Sequence, residues 1–376
     1  MVSAGENMNE DKVYKIMVIN PGSTSTKVAV FENEKRIFEN SVFHDSSELL
    51  KLGSINDQLA YRMKFTNKFL EEAGIQVNEL DAVVGRGGPC VSCESGCYEI
   101  NEKLVEDTKA AKGALYHSSM LGVQMAMEFH KQYGMPVYMV DPPVVDELDE
   151  RARISGVKGL YRRATCHVLN IKETAKRYAD EVNRNYEDLR LVVAHIDGGI
   201  SVTCHRDGRI IDSNDAGGGE GPFTPTRMGS MSVTDVLDYL FDCDPADVRK
   251  LCSQGGGLSS WFGTSDSRLI SRKAAEGDPE AKRVWEAMLY QCTKWIAMMA
   301  APLDGRVDAV VLTGGLLKIP GVIEYMEEHV SWIAPVKAYP GEFEHESMAG
   351  HTLRVLRGEE ELKVYTGEPV WKGFAE

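Results

Sequence analysis

A strand–turn–strand unit that occurs twice constrains this chain more than any other feature. In the first copy, residues 16–27 (IMVINPGSTSTK), four apolar residues from Ile16 to Ile19 predict a short buried strand. Asn20-Pro21-Gly22 break the run, Ser23-Thr24-Ser25-Thr26 and Lys27 follow, and apolar residues resume at 28–31. The second copy, residues 191–212 (LVVAHIDGGISVTCHRDGRIID), has the same plan. Residues 16–19 match 191–194, NPGST matches HIDGGIS, and Asn33-Glu34 match Asp207-Gly208 as the next turn. Two copies of one unit predict two similar domains.

A turn with exposed amides, four hydroxyls and a lysine suits phosphate oxygens. Successive N–H groups form an anion nest and the lysine adds a point charge. A plain Ser/Thr-rich hairpin fits the same residues. With two units, each domain offers a phosphate loop to a cleft between them.

The 376 residues suit two domains of ordinary size, and 43% hydrophobic with 26% charged residues is globular usage. A net charge of −15 disfavours nucleic acid and anionic membrane as partners, because both want a basic face. No apolar run reaches membrane-spanning length, and the polar N-terminus MVSAGENMNEDK, read as a loose tail, lacks a signal-peptide core. Eight cysteines in so long a chain fit free thiols in a reducing cytoplasm, so a cytoplasmic location is expected. Cys90, Cys93 and Cys97 have a spacing that zinc or an iron–sulfur cluster also accepts, though no second CxxC closes such a site.

Strands are predicted at 14–20, 27–31 and 36–43, a helix at 56–74, a strand at 81–85, a helix from 117–119 to about 133, and a strand at 135–141. The second half repeats the order. A helix at 166–182, the second meander, helices at 233–241, 267–276 and 283–301, a strand at 307–312, a helix opened by Pro320, a strand at 333–338 and a helix at 342–358 follow. The expected domains are 13–150 plus 341–376, and 151–340. Apolar residues surround the 283–301 helix, which predicts burial between layers or between subunits of a homodimer or larger homo-oligomer.

Ligands of open α/β sheets bind beyond the carboxyl ends of the strands. There stand Asn20, Arg86, Asp141, His195 with Asp197, and Gly314-Gly315. Neither GxxxxGK[ST] nor a GxGxxG opening a helix after the first strand occurs, which excludes a P-loop protein and counts against a dinucleotide dehydrogenase.

These residues together resemble the acetokinase family, the acetate and butyrate kinases of the sugar kinase, chaperone and actin superfamily. The resemblance covers residues 15–357 and is carried by INPGSTSTK, GRGG, YHSS, VDPPVVDELDERARISG, RRATCHVLN, HIDGGIS, GPFTPTR, FGTSDSR, VLTGG and PGEFEHESMAGHTLRVLRGEE. GRGG, the VVDELDERARISG segment and the C-terminal motif resemble the butyrate branch. The resemblance implies an α/β fold of two duplicated RNase H-like (actin-like ATPase) domains with a central inter-domain cleft. It also implies reversible transfer of the ATP γ-phosphoryl group to a short-chain carboxylate, with ATP/ADP and Mg2+ as cofactors. Such transfer needs charge neutralised on the equatorial oxygens rather than a protein nucleophile.

By the same resemblance Asn20, Ser23, Ser25 and Lys27 form the first phosphate loop, and Gly198, Gly199, Gly314 and Gly315 let backbone approach the nucleotide. Arg86 and Arg227 are candidates to hold carboxylate and γ-phosphate, since planar bidentate donors suit both. Asp141 matches the catalytic aspartate, and His117 and His195 match histidines near the reacting groups. Asn20 with Glu344 or Glu346 would serve magnesium. Each of these has a plainer reading: a loop ion pair for Arg86, a helix cap for Arg227, a turn cap for Asp141, and core or capping roles for the histidines. His167 lies in ATCH, where Arg163 replaces a further family histidine. Asp197 stands where the butyrate branch has a glycine, and a carboxylate there repels phosphate unless it meets magnesium or points away. Acetate, propionate or a branched acid as substrate, a catalytically weak nucleotide sensor, and an actin-like assembly protein are the competing readings.

Overall fold

The computed structural model describes residues 12–112, 116–241 and 243–374. The expected N-terminal tail lies outside them up to residue 11. The chain divides into two units. One runs to Val145 and resumes at Glu344, and the other is Asp146–Phe343. The expected seams stand a few residues away, at 150/151 and 340/341.

In the first unit β1 (Lys15–Pro21), β2 (Ser25–Glu32) and β3 (Lys35–Phe43) form an antiparallel meander. With β4 (Ala82–Arg86), β5 (Cys97–Glu99) and β6 (Val137–Val140) they make a sheet ordered β5-β6-β4-β1-β2-β3, and Lys363–Val364 adds beside β5. The parallel strands β1, β4 and β6 are buried nearly throughout, which is why their sequences run apolar without alternation. The mostly exposed β3 carries Lys35, Arg36 and Glu39, the charges that keep an edge strand from pairing further.

The Met120–Tyr133 helix lies hard against β4. A Cβ at Gly85 would stand 2.1 Å from the Gly122 carbonyl oxygen, and one at Gly122 would stand 2.4 Å from that of Arg86. Two glycines permit this approach. Side chains alternate along a strand, so Arg86 points to the other face, where the Glu344–Arg357 helix packs.

The second unit repeats the sheet with β7 (Leu191–Ile196), β8 (Ile200–Arg206), β9 (Arg209–Ser213), β10 (Ala309–Gly314) and β11 (Val336–Pro340), ordered β11-β10-β7-β8-β9. The likeness extends to register. Ile16 pairs with Ala82 as Leu191 pairs with Ala309, and Asn20 pairs with Lys27 as His195 pairs with Ser201. Even a bulge recurs, between Val30/Phe31 in β2 and Cys204/His205 in β8. The repeat read from a hydrophobicity pattern is thus a repeat of hydrogen bonding.

The Val168–Glu181 helix packs on β7 and β10, and Pro279–Ala300 on β7 and β8. The latter begins at Pro279, earlier than the expected 283, because the Asp278 carboxylate caps the amides of Glu280 and Ala281, both at 3.0 Å, with proline at the first helical position. It is one-faced rather than apolar all round. Val284, Met288, Leu289, Cys292, Ile296 and Met299 are buried, whereas Glu286, Tyr290, Lys294 and Met298 form an open stripe. The Val233–Leu240 helix leaves Val233, Leu237 and Tyr239 exposed, and Phe241 beyond it is 86% exposed. Helices Glu102–Lys109 and Pro245–Ser253 were not foreseen, although their caps Asn101 and Asp244 are ordinary start signals. No helix among the described residues is long and apolar enough to cross a membrane.

Candidate active site

Three strand ends of the first unit carry its polar residues. Asn20, at the end of β1, is buried and donates from Nδ2 to Glu344 Oε2 at 2.8 Å. Arg86, at the end of β4, forks onto the same carboxylate: Nη1 to Oε2 at 2.9 Å and Nη2 to Oε1 at 2.8 Å. Its Nη1 also donates to Asn20 Oδ1 at 3.1 Å. The bidentate pair neutralises a carboxylate that is 4% exposed, and Asn20 hydrogen-bonds both partners of the pair. Glu346 turns instead toward β3, 3.5 Å from Arg36 Nη1. Lys27 lies across from Asn20 on the antiparallel strand, so the two share a sheet face. Ser23 is exposed and Ser25 half-buried in the intervening hairpin.

Asp141 follows β6 and is buried, with φ +38°, a conformation a non-glycine residue holds only when its surroundings enforce it. Its Oδ1 accepts from Ser95 Oγ and the Gly96 amide, both at 2.7 Å, and its Oδ2 lies 3.9 Å from His351 Nε2. His117 is exposed ahead of the Met120–Tyr133 helix, its Nδ1 accepting from the Ser119 amide at 3.1 Å.

In the second unit His195 ends β7 as Asn20 ends β1. Asn170, from the first turn of the Val168–Glu181 helix, donates from Nδ2 to His195 Nδ1 at 2.8 Å and to Thr313 Oγ1 at 3.1 Å. The His195 ring stacks on His167, centroids 4.1 Å apart, and His167 Nδ1 meets Ser201 Oγ at 2.8 Å. Arg163 is exposed, while Arg162 pairs with Asp212 and Glu220.

The turn after β7 is tied to two other segments. Asp197 Oδ1 accepts from the Gly198 amide at 2.7 Å and Oδ2 from the Gly315 amide, so the carboxylate bridges the ends of β7 and β10. Thr224 and Thr226 both donate to the Gly198 carbonyl, at 2.8 and 3.0 Å. The Arg227 guanidinium lies on Gly199, where a Cβ would stand 2.8 Å from its central carbon. Arg227 Nη1 donates to the Ala216 carbonyl at 2.8 Å, and its buried Nε has no hydrogen-bond partner among the described residues. Burial lowers the Arg227 pKa, and Asp215 works against that shift. Gly314, with φ +110°, meets Ile196 so closely that no Cβ fits, whereas a Cβ at Gly198 would find open space. Among the described residues no atom comes within 4 Å of that position.

Among the described residues, the one compact group of possible metal ligands is His195, Asp197 and Glu342. Cys90, Cys93 and Cys97 do not make such a group. Sequence spacing held no sign of Asn170, Ser95 or Thr224 as neighbours of the expected residues, because each arrives from another element.

Residues 156–321 match the model of the Acetokinase family. Butyrate kinase 1 and Butyrate kinase 2 of Clostridium acetobutylicum are 43% and 42% identical to the chain, each over 94% of it and over 100% and 99% of their own lengths. The crystal structure of Porphyromonas gingivalis acetate kinase superposes with a TM-score of 0.72 at 18% identity, covering 92% of this chain and 100% of that one. The duplicated sheets are those of the actin-like ATPase fold, two RNase H-like domains in one chain. The chain belongs to the acetokinase family.

Proposed function

We propose that the protein is a butyrate kinase, transferring the ATP γ-phosphoryl group directly to butyrate to give butyryl phosphate and ADP, and running in reverse. The observation that carries this reading is the Asn20–Arg86–Glu344 cluster, a bidentate cation held at a strand end. The two clostridial relatives bear the name butyrate kinase. In the forward direction a carboxylate oxygen forms a bond to phosphorus while the bond to the ADP oxygen breaks. The acid is already ionised, so no general base is required, and Asp141 orients rather than deprotonates. Arg227 is the candidate to neutralise the equatorial oxygens, and Arg86, whose fork is held by Glu344, offers its remaining N–H donors. The first unit, with Asn20, Ser23, Ser25, Lys27 and His117, holds the acid and a phosphate; the second, with His195, Gly198, Gly199, Gly314 and Gly315, holds the nucleotide.

Asn20 Oδ1 and Glu344 are hard oxygen donors, the kind that magnesium accepts, and Arg86 already neutralises the carboxylate. They would therefore hold magnesium through its waters. The ion supplies charge neutralisation on the phosphates when bound. Acetate, propionate and branched acids compete as substrates, because one methylene changes pocket affinity by only about 1–3 kcal/mol. The exposed apolar residues of the Val233–Leu240 helix support a homodimer or larger assembly, and eight free thiols support a reducing cytoplasm. The test is incubation with ATP, magnesium and hydroxylamine over acids of two to five carbons. Butyryl hydroxamate is expected in greatest yield; absence of product with every acid rejects the kinase reading in favour of a nucleotide sensor. Sedimentation velocity measures the assembly, and a monomer rejects that part.

A further inference from the structure

The hairpin between β1 and β2 owes its shape to a residue 37 positions beyond Ser25 in sequence. Arg62, inside the Leu59–Glu72 helix, is fully buried. Its Nη1 donates to the Gly22 carbonyl at 2.9 Å, the Ser25 carbonyl at 2.8 Å and Thr26 Oγ1 at 3.0 Å. Its Nη2 donates to the Ser23 carbonyl at 3.1 Å, and Nε and Nη2 hold Gln58 Oε1 at 3.1 and 2.9 Å. The remaining hairpin carbonyl, Thr24, accepts from the His44 amide at 2.9 Å. Every carbonyl oxygen from Gly22 to Ser25 is thereby engaged from within.

Resting on the reading above, we propose that Arg62 is a positioning residue for phosphoryl binding. It gathers the hairpin's carbonyl dipoles on the buried side, so that amides and hydroxyls, with a cation behind them, face a phosphoryl oxygen. Two physical points favour this over simple packing. None of the six hydrogen bonds goes to a carboxylate, so the guanidinium is a buried charge without a countercharge in that set. A buried charge of this kind costs stability where an apolar side chain of like volume would not. Burial pulls its pKa down to about 10, which leaves it protonated at neutral pH. Second, a carbonyl oxygen facing outward would repel a phosphate, whereas a nest of N–H groups attracts it. Ser23 and Thr24 are the exposed residues of the hairpin.

The test compares Arg62→Met, Arg62→Lys and Gln58→Leu in the full chain. Arg62→Met should lower kcat/KM for ATP and for butyryl phosphate at least about a hundredfold, in a raised KM as well as a lowered kcat, with the AMP dissociation constant by calorimetry within twofold. Arg62→Lys, which restores charge without the fork, should recover about tenfold. A merely structural role would weaken AMP and the phosphoryl substrates alike, and that outcome overturns the proposal, as does a folded Arg62→Met with unaltered kinetics. If Arg62→Met does not fold, Gln58→Leu decides. It leaves the cation but frees its orientation, and should cost about five- to twentyfold in kcat; no change overturns the idea. If the parent forms no hydroxamate with any acid, the kinase reading fails separately, and pyrophosphate titration decides this one. Binding lost in Arg62→Met supports it, and binding retained or absent from the parent overturns it.

Discussion

The two units place different chemistry on matched positions. Asn20 and His195 occupy the same register, as do Arg86 and Thr313, and in each unit a residue from the first turn of a packed helix closes the group. In the first unit that residue is Glu344 and the trio holds a cation and an anion; in the second it is Asn170 and the trio is Asn170, His195 and Thr313. Duplication therefore fixed where side chains stand at the strand ends, not what they are. Under the proposed function the charged trio would meet the reacting phosphoryl group and the amide-centred one the nucleotide.

The largest effect should come from the charged trio. Arg86→Ala leaves Glu344 buried without its cation, so kcat/KM should fall at least about 10³-fold and urea unfolding should report a loss of about 3–5 kcal/mol. Thr313→Val at the matched position should cost less than about tenfold; equal losses would erase the distinction. Next, Asn170→Asp places a carboxylate in the amide-centred trio and removes the donor shared by His195 and Thr313. ATP turnover should fall about a hundredfold in the hydroxamate assay while butyryl phosphate affinity holds, as expected from a lost buried donor plus a new charge.

The bulge offers a third comparison, because Phe31 in β2 and His205 in β8 stand at the same step. His205 is fully buried between Tyr186 and Thr203, and burial, aided by the Lys172 charge, lowers its pKa from 6.5 to about 3. Below pH 6.5 the unfolded chain binds a proton there that the folded chain refuses. Stability is thus whole above that pH and falls as pH drops toward about 3. By pH 4 the loss from this ring should reach up to about 3 kcal/mol. Denaturation at pH 7 and pH 4 measures it, and His205→Phe should flatten the slope. The smallest effect belongs to Asp197→Gly. It frees the Gly198 and Gly315 amides for phosphate, so the ATP KM should fall a few-fold or stay level; a large rise would make the aspartate a working ligand.

Much of this was legible in the residues. The apolar runs at 16–19 and 191–194 and the turns after them gave both meanders, because a strand buried on both faces leaves an unbroken signature. Helix starts were missed where the cap, rather than the periodicity, held the information, as at Asp278-Pro279. The pairing of Arg86 with Glu344 and of Arg62 with the hairpin was illegible for a simpler reason. Nothing local marks a contact across 258 positions, and an arginine within a helix reads as solvated until its neighbours are known.

One feature of chain order bears on synthesis. The first unit is finished by the helix that begins at Glu344, after the whole of the second has been made. A nascent chain on the ribosome therefore exposes Arg86 without its carboxylate until Glu344 has been made. The Asn20–Arg86–Glu344 cluster is closed only after the whole second unit is made, and a polypeptide released before Glu344 lacks the carboxylate that completes it.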